Sequence, residues 1–155
     1  MRSAQDEIGI FPEEARTMTT ARQVMHVGVE TISAQTSLAE AARRMRDLDV
    51  GALPVCDTQG NPVGMVTDRD IIVGCIATGQ DPRHSTTGML AGEKLITVTG
   101  DTDIADVLAT MEAHRIRRLP VIEGKELVGI ISEADLSRKL REQEVGEFVE
   151  AVCAP

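Results

Sequence analysis

The sequence predicts an α+β fold in which two tandem βαββα repeats pack together with pseudo-twofold symmetry. The prediction depends on an internal repeat and on the same order of strand, helix and turn patterns in both copies. A shift of 66 positions lays residues 36–55 over residues 102–121 with six identities. The identical pairs are Thr36/Thr102, Ala39/Ala105, Met45/Met111, Leu53/Leu119, Pro54/Pro120 and Val55/Val121.

Each copy begins with a short strand and an amphipathic helix. The strands are expected at Glu30–Ser33 and Leu95–Thr99, and the helices start after the predicted N-caps Ser37 and Asp103. Apolar residues then recur at helical spacing, which predicts one buried stripe per helix. The stripes comprise Leu38, Ala41, Ala42, Met45 and Leu48 in the first copy and Ile104, Val107, Leu108, Met111 and His114 in the second. On this pattern His114 is expected to be a partly buried core histidine rather than a ligand.

A β-hairpin and a second helix complete each copy. The predicted first hairpin strands are Ala52–Cys56 and Leu119–Ile122, and the second strands are Val63–Val66 and Leu127–Ile131. Helices are expected to start directly after them, near Asp68 and Glu133.

One copy alone offers too little apolar area to offset chain entropy, so the two copies are expected to form one body. The predicted division is a disordered N-terminal extension at residues 1–17, a first repeat at 18–82, a second repeat at 83–145 and a C-terminal tail at 146–155.

The composition argues against several partners. The chain has 16 Lys and Arg against 25 Asp and Glu, a net charge of −9, whereas nucleic-acid binding depends on basic residues that neutralise phosphates. No apolar run approaches the roughly 20 residues of a membrane-spanning helix. We therefore expect no nucleic-acid partner, no membrane partner and a cytoplasmic location.

Cys56, Cys75 and Cys153 are far apart and odd in number, which favours reduced, buried thiols.

A hydroxyl residue followed three positions later by an aspartate ends each hairpin. The pairs are Thr67 with Asp70 and Ser132 with Asp135. One interpretation is a helix capping box, which the spacing alone favours. The other is a ligand site, because a helix N-terminus suits a phosphate and a carboxylate can accept hydrogen bonds from ribose hydroxyls.

The doubled pattern of Leu-Pro-Val, a hairpin and Gly-x-x-Thr/Ser-x-x-Asp resembles the CBS domain family, whose tandem pairs are often called Bateman modules. The resemblance covers about residues 22–140. Within the family the chain is most similar to the small actinobacterial group of hypoxic response proteins, including residues 18–22 and the tail at 148–153. This similarity implies a role in a hypoxic or stress response.

The resemblance also implies an adenosine-type ligand in the cleft between the repeats. In CBS pairs that bind AMP, ADP, ATP or S-adenosylmethionine, the motif aspartate holds the ribose, which assigns that role to Asp70 and Asp135. Thr67 and Ser132 would contact ribose or phosphate. The residues expected to flank the adenine are Thr31, Val50, Gly51, Thr97, Ile116 and Arg117.

The two halves differ in charge just before Leu-Pro-Val. Residues 114–118 contain three arginines, whereas residues 48–52 contain none. A guanidinium can hold a phosphate through two hydrogen bonds, so Arg117 or Arg118 would favour a phosphorylated nucleotide. A solvated basic cluster is the alternative, and the sequence leaves both open.

Signals for catalysis are absent or weak. The sequence has no P-loop, no Gly-x-Ser-x-Gly, no His-Glu-x-x-His and no Cys-x-x-Cys. We therefore expect no enzymatic activity, no catalytic residues, no metal site and no required cofactor.

The expected function is that of a regulatory sensor that binds an adenosyl ligand. Because CBS pairs commonly dimerise through their helices, we also expect a homodimer. Two alternatives remain. One is a ligand-free dimeric scaffold that docks onto another, unidentified protein, and the other is a redox sensor based on the three cysteines or on a metal.

Overall fold

The structure, a computed structural model, describes residues 19–92, 95–140 and 142–153, without the side chains of residues 142–144. The predicted N-terminal extension at residues 1–17 lies outside the described residues. The elements in chain order are α1 (Ala21–Val24), β1 (Ile32–Ser33), α2 (Leu38–Leu48), β2 (Ala52–Cys56), β3 (Pro62–Thr67), α3 (Asp68–Ile71), a π-helical segment (Ile72–Ile76), α4 (Thr87–Leu90), α5 (Ile104–His114), β4 (Arg118–Glu123), β5 (Glu126–Ser132), α6 (Glu133–Lys139) and α7 (Glu142–Cys153).

The first repeat forms the predicted sheet. Strand β1 lies parallel to β2, and β2 pairs antiparallel with β3. The last four residues of β2 are buried, which accounts for its nearly continuous apolar sequence. A bulge between Val55 and Cys56 shifts the hairpin register. Strand β2 therefore has the predicted bounds and lies in the centre of the sheet.

The second repeat reproduces this hairpin with a reduced first strand. Strands β4 and β5 pair antiparallel, with the matching bulge between Val121 and Ile122. The predicted strand at Leu95–Thr99 pairs with β4 through a single parallel bridge at Val98. The amide of Val98 donates to the Pro120 carbonyl (3.1 Å), and the amide of Ile122 donates to the Val98 carbonyl (2.9 Å).

Helices α2 and α5 occupy equivalent places and begin at the predicted caps. Ser37 Oγ accepts from the Glu40 amide (3.2 Å), and Asp103 Oδ1 accepts from the Ala105 amide (3.1 Å). Such bonds satisfy amide groups that have no partner within the helix.

The buried stripes are narrower than predicted. The fully buried helix positions are Leu38, Ala41 and Met45 in α2 and Val107 and Met111 in α5. Ala42, Leu48 and His114 are exposed. The prediction of a partly buried His114 is wrong, because α5 ends at this residue and its last two residues, Ala113 and His114, are exposed.

The leading helices of the two repeats are exchanged. By the 66-residue shift, α1 is the counterpart of α4. Ala21 and Val24 of α1 belong to the core of the second repeat, whereas Leu90 of α4 packs on the core of the first. The Ala21 amide donates to the Thr102 carbonyl and the Thr87 amide to the Thr36 carbonyl, both at 2.8 Å. This symmetric exchange joins the copies into one body.

The glycine of each motif lies where an exchanged segment crosses a hairpin. A Cβ on Gly64 would collide with the carbonyl group of Ala91, and one on Gly129 would meet the Met25 side chain and the His26 carbonyl. The same approach allows the Ile130 amide to bond to the His26 carbonyl (3.0 Å). Glycine therefore permits the contact between the repeats.

The linker between the repeats caps the start of α2. The amide of Leu38 donates to the Ser85 carbonyl (2.8 Å) and that of Ala39 to the Pro82 carbonyl (2.9 Å). Within the linker, a hydrogen bond from the Arg83 side chain is the main factor that lowers the pKa of Asp81 to about 2.

Helix α7 belongs to the second repeat. It packs against α5 and α6, and its residues Phe148 and Val152 are buried in the second core. The sequence patterns did not predict a helix here. Among the described residues, no helix has the length and apolar character needed to cross a membrane.

Candidate functional site

Both Thr/Ser-x-x-Asp segments form reciprocal helix caps. Thr67 Oγ1 accepts from the Asp70 amide (3.0 Å), and Asp70 Oδ2 accepts from the Thr67 amide (2.9 Å). In the second repeat Ser132 Oγ accepts from the Asp135 amide (3.3 Å), and Asp135 Oδ2 accepts from the Ser132 amide (2.9 Å). The capping interpretation is therefore confirmed for α3 and α6.

The caps leave part of each carboxylate unused. Asp70 and Asp135 are half-buried. In the part of the chain that the structure describes, the hydrogen bonds to these carboxylates reach Oδ2 alone. Since a carboxylate can accept several hydrogen bonds, Oδ1 of each aspartate can still accept a ligand hydroxyl. Capping and ribose binding are compatible.

Left-handed turns lead from α2 and α5 to the segments expected to flank an adenine. Asp49 (φ 54°) and Arg115 (φ 51°) end these helices. The Gly51 carbonyl then accepts from the Asp68 amide (3.0 Å), and the Arg117 carbonyl accepts from the Glu133 amide (3.1 Å). Each of these two segments is thus held by a hydrogen bond from the first residue of a helix, α3 or α6, in its own repeat.

A cavity of about 220 Å³ lies in the cleft between the repeats. Thr67 comes to it from the first repeat and Ile116, Arg117 and Arg118 from the second, so four predicted site residues lie together. Its remaining lining residues are Met65, Ala91, Leu95, Ile96 and Pro120. Most of the lining residues are aliphatic, and the polar ones are Thr67, Arg117 and Arg118.

A larger cavity, of about 500 Å³, lies elsewhere, between α2 and α3. Val50 and Gly51 line this second cavity rather than the cleft cavity.

The remaining predicted site residues line neither of these two cavities. They are Thr31, Asp70, Thr97, Ser132 and Asp135. Thr31 and Thr97 are exposed, and the carbonyl of Thr31 accepts from Arg44 Nη1 (3.4 Å). Asp70 is linked to the cleft cavity through its hydrogen bond with the Thr67 amide.

The two arginines of the cleft point to different parts of the molecule. Arg117 Nη2 donates to Cys153 Sγ at 3.1 Å, a contact with the end of α7. Arg118 Nη2 and Asp68 Oδ2 each lie 3.2 Å from the position that a Cβ on Gly51 would take. Arg118 therefore reaches across to the first repeat, and Gly51 leaves the space for it.

Five cavity residues were not predicted as site residues from the sequence. Leu95, Ile96 and Pro120 were interpreted only as parts of strands. Met65 and Ala91 enter the cleft because the segment after α4 crosses β3, where the Met65 amide donates to the Ala91 carbonyl (3.3 Å). The 66-residue shift, which matches Ala91 with Met25, was the available signal for this crossing.

The cysteines differ in exposure. Cys56 and Cys75 are buried, as predicted, whereas Cys153 is exposed. The prediction is wrong for Cys153 because the last turn of α7 extends beyond the core residue Val152. Among the side chains that the structure describes, no three His, Cys, Asp or Glu residues are placed to hold a metal ion together.

Comparison with known proteins agrees with this arrangement. The CBS domain model matches residues 21–74 and 90–142. Hypoxic response protein 1 of Mycobacterium tuberculosis is 44% identical over 138 residues, which is 89% of this chain and 96% of that protein. The crystal structure of Hypoxic Response Protein I with two coordinated zinc ions is similar at a TM-score of 0.73 and 44% identity, covering 79% of this chain and 100% of that chain. A hexameric CBS-CP12 protein from bloom-forming cyanobacteria is similar at a TM-score of 0.74 and 30% identity, covering 83% of this chain and 76% of that chain. The chain belongs to the CBS domain family, contains two CBS repeats and is related to hypoxic response protein.

Proposed function

We propose that this protein is a non-catalytic sensor that binds an adenine nucleotide, or a related adenosyl ligand, in the cleft between its repeats. The observation that carries the proposal is the cleft cavity, which brings Thr67 of one repeat together with Ile116, Arg117 and Arg118 of the other. A ligand that contacts both sets of residues can favour one arrangement of the repeats over another, which is the physical requirement for sensing.

The cavity walls suit a purine held without aromatic stacking. The chain contains no Trp and no Tyr, and Phe148 is buried in the second core. Ile96, Ile116 and Pro120 are aliphatic lining residues that can pack against a flat base. The hydroxyl of Thr67 and the free oxygen of Asp70 lie on the first-repeat side, where they can bind ribose or phosphate.

The guanidinium groups favour a phosphorylated member of the ligand class. Arg117 and Arg118 both line the cleft, and both are exposed enough to meet a ligand from solvent. Guanidinium can bind phosphate through two hydrogen bonds. Among the ligands considered, AMP, ADP and ATP therefore fit better than S-adenosylmethionine, whose sulfonium centre carries a positive charge.

We further propose that the protein forms a homodimer in the cytoplasm and that it participates in a hypoxic or stress response. The similarity to hypoxic response protein 1 supports the role in a hypoxic or stress response. The similarity to a hexameric CBS-CP12 protein supports self-association. The two zinc ions belong to the crystal structure of Hypoxic Response Protein I.

The first test is calorimetry with AMP on the Asp70→Ala variant. Loss of a hydrogen bond to a charged group costs about 1.5–3 kcal/mol, so we expect the affinity for AMP to fall about 10-fold to 100-fold. Loss of the cap also lowers the stability of the fold by about 1 kcal/mol. Asp135→Ala tests the corresponding aspartate of the second repeat in the same way.

Ser37→Ala provides the matched control. Ser37 caps α2 at the end of the helix opposite to Val50 and Gly51, so its loss costs similar stability but removes no cleft group. We expect unchanged AMP affinity for this variant. Equal affinities for the native protein, Ser37→Ala and Asp70→Ala would show that Asp70 is only a cap, whereas no AMP binding by the native protein would favour the ligand-free scaffold.

A further inference from the structure

One arginine of the cleft is in contact with the C-terminal helix. Arg117 lines the cleft cavity, and its Nη2 donates to Sγ of Cys153 at 3.1 Å. Cys153 is the last residue of α7 and lies 36 positions further along the chain. A contact between residues so far apart in sequence depends on where the fold places α7.

The backbone is held on both sides of this contact. The Arg117 carbonyl accepts from the Glu133 amide (3.1 Å) at the start of α6. Val152, the residue before Cys153, is buried in the second core together with Phe148. Two packed segments therefore bring the guanidinium and the sulfur together, although both side chains are exposed.

The first repeat has neither member of this pair. By the 66-residue shift, the counterpart of Arg117 is Gly51. The helix that supplies the sulfur also has no counterpart, because the chain after the π-helical segment forms the linker instead. The first repeat forms its hairpin and helices without such a contact. The arginine and the helix that contacts it are therefore not required by the repeat fold, and their joint presence points to the cleft.

The other arginine of the cleft shows why a sulfur partner suits this position. Arg118 reaches toward Gly51, where Asp68 Oδ2 also lies, and a carboxylate there can compete with a phosphate for the guanidinium. A sulfur atom is only a weak acceptor. Because a guanidinium has five N–H groups, one contact to sulfur can orient Arg117 and still permit two hydrogen bonds to a phosphate.

We propose that Cys153 is a positioning residue for the cleft, which holds the Arg117 guanidinium where it binds the phosphate of a nucleotide. A long side chain that is already restrained loses less freedom on binding than one that is mobile. The inference rests on the proposed nucleotide site and deepens it. It assigns the preference for a nucleotide over its nucleoside to Arg117 and α7 together.

The test compares AMP with adenosine, which lacks the phosphate. In calorimetry, we expect Cys153→Ala to bind AMP about 3-fold to 10-fold more weakly than the native protein, the range for losing the restraint on one long side chain. Its affinity for adenosine should be unchanged. Arg117→Ala should weaken AMP binding by about 10-fold to 100-fold, because it removes the phosphate contact itself.

The double variant Cys153→Ala/Arg117→Ala isolates the route of the effect. If the sulfur acts only through the guanidinium, the double variant should bind AMP as Arg117→Ala does, with no additional loss. An additional loss equal to that of Cys153→Ala alone would show that Cys153 acts independently of Arg117, which would overturn the proposal.

Two further variants serve as controls. Cys153→Ser keeps a hydrogen-bond acceptor at this position and should bind AMP more tightly than Cys153→Ala. Gly146→Ala changes another exposed position of α7, with no atom within 4 Å of the new Cβ, and should bind AMP like the native protein.

The outcomes separate this inference from the proposed function. Native AMP affinity in Cys153→Ala would overturn the positioning role and leave the nucleotide site in place. An equal loss for AMP and adenosine would also overturn it, because the change would then affect the whole cleft rather than the phosphate contact. A native protein that binds neither AMP nor adenosine would overturn the proposed function and this inference together.

Discussion

Gly64→Ala is expected to lower the free energy of unfolding by about 3 kcal/mol or to prevent folding. The new Cβ would overlap the carbonyl oxygen of Ala91 and lie 2.8 Å from its carbonyl carbon. The Ala91 carbonyl cannot move independently, because it also accepts from the Met65 amide. The contact between the exchanged segment and β3 would therefore open. For a chain of this length, thermal unfolding should shift downward by about 6–12 °C.

Gly146→Ala is a control glycine-to-alanine change for which the expected effect on stability has the opposite sign. Gly146 lies within α7, is exposed and has no atom within 4 Å of the position of a new Cβ. Alanine is favoured over glycine in a helix interior by about 0.8–1 kcal/mol, so this variant should be slightly more stable than the native protein. A Gly64→Ala variant as stable as Gly146→Ala would contradict the crossing at β3.

Phe148→Ala is expected to cost about 3–5 kcal/mol of stability. The side chain is 1% exposed and belongs to the same buried cluster as Val24 of α1 and Leu136 of α6. Its removal leaves a cavity where three elements of the second repeat meet. Chemical denaturation followed by circular dichroism should show a lower midpoint concentration.

Glu150→Ala is the matched control for the loss of Phe148. Glu150 lies in the same helix but is exposed, so the change should alter stability by no more than about 0.5 kcal/mol. If both alanine variants unfold at the same denaturant concentration, α7 does not contribute to the core as described.

Much of the fold could be predicted because local patterns and the repeat agree. The caps at Ser37, Thr67 and Ser132 are visible as residue types at fixed spacing, and the structure contains each of them. The hairpins follow from apolar runs separated by turn residues. These features depend on neighbours in sequence, and the repeat supplied two independent examples of each hairpin and motif helix.

Features that depend on contacts between residues far apart in the sequence were harder to predict. The exchange of α1 and α4 depends on contacts such as Ala21 with Thr102, which no local pattern encodes. Helix α7 was not predicted, because its apolar residues have no copy in the first repeat to compare with. The narrow stripe of α5 reflects where the core ends, not the periodicity of the helix.

The candidate site could be predicted only in part, because local patterns identify some of its residues and contacts between distant segments determine the others. The basic segment containing Arg117 and Arg118 was identified from sequence, and both residues line the cleft cavity. The assignment of Met65 and Ala91 to the cavity required the crossing at Gly64. Thr31 and Thr97 remain predictions as ligand contacts, since they are exposed and line neither cavity.

Binding of an adenosine-type ligand in the cleft is tested by an ultraviolet spectrum of the purified protein, followed by calorimetry with AMP, ATP and S-adenosylmethionine. Because the chain has no Trp and no Tyr, a bound purine would dominate absorbance near 260 nm. We expect either such a peak, released on denaturation and identified by mass spectrometry, or saturable binding when nucleotide is added. A spectrum without purine absorbance, together with no heat of binding for all three ligands, would contradict it.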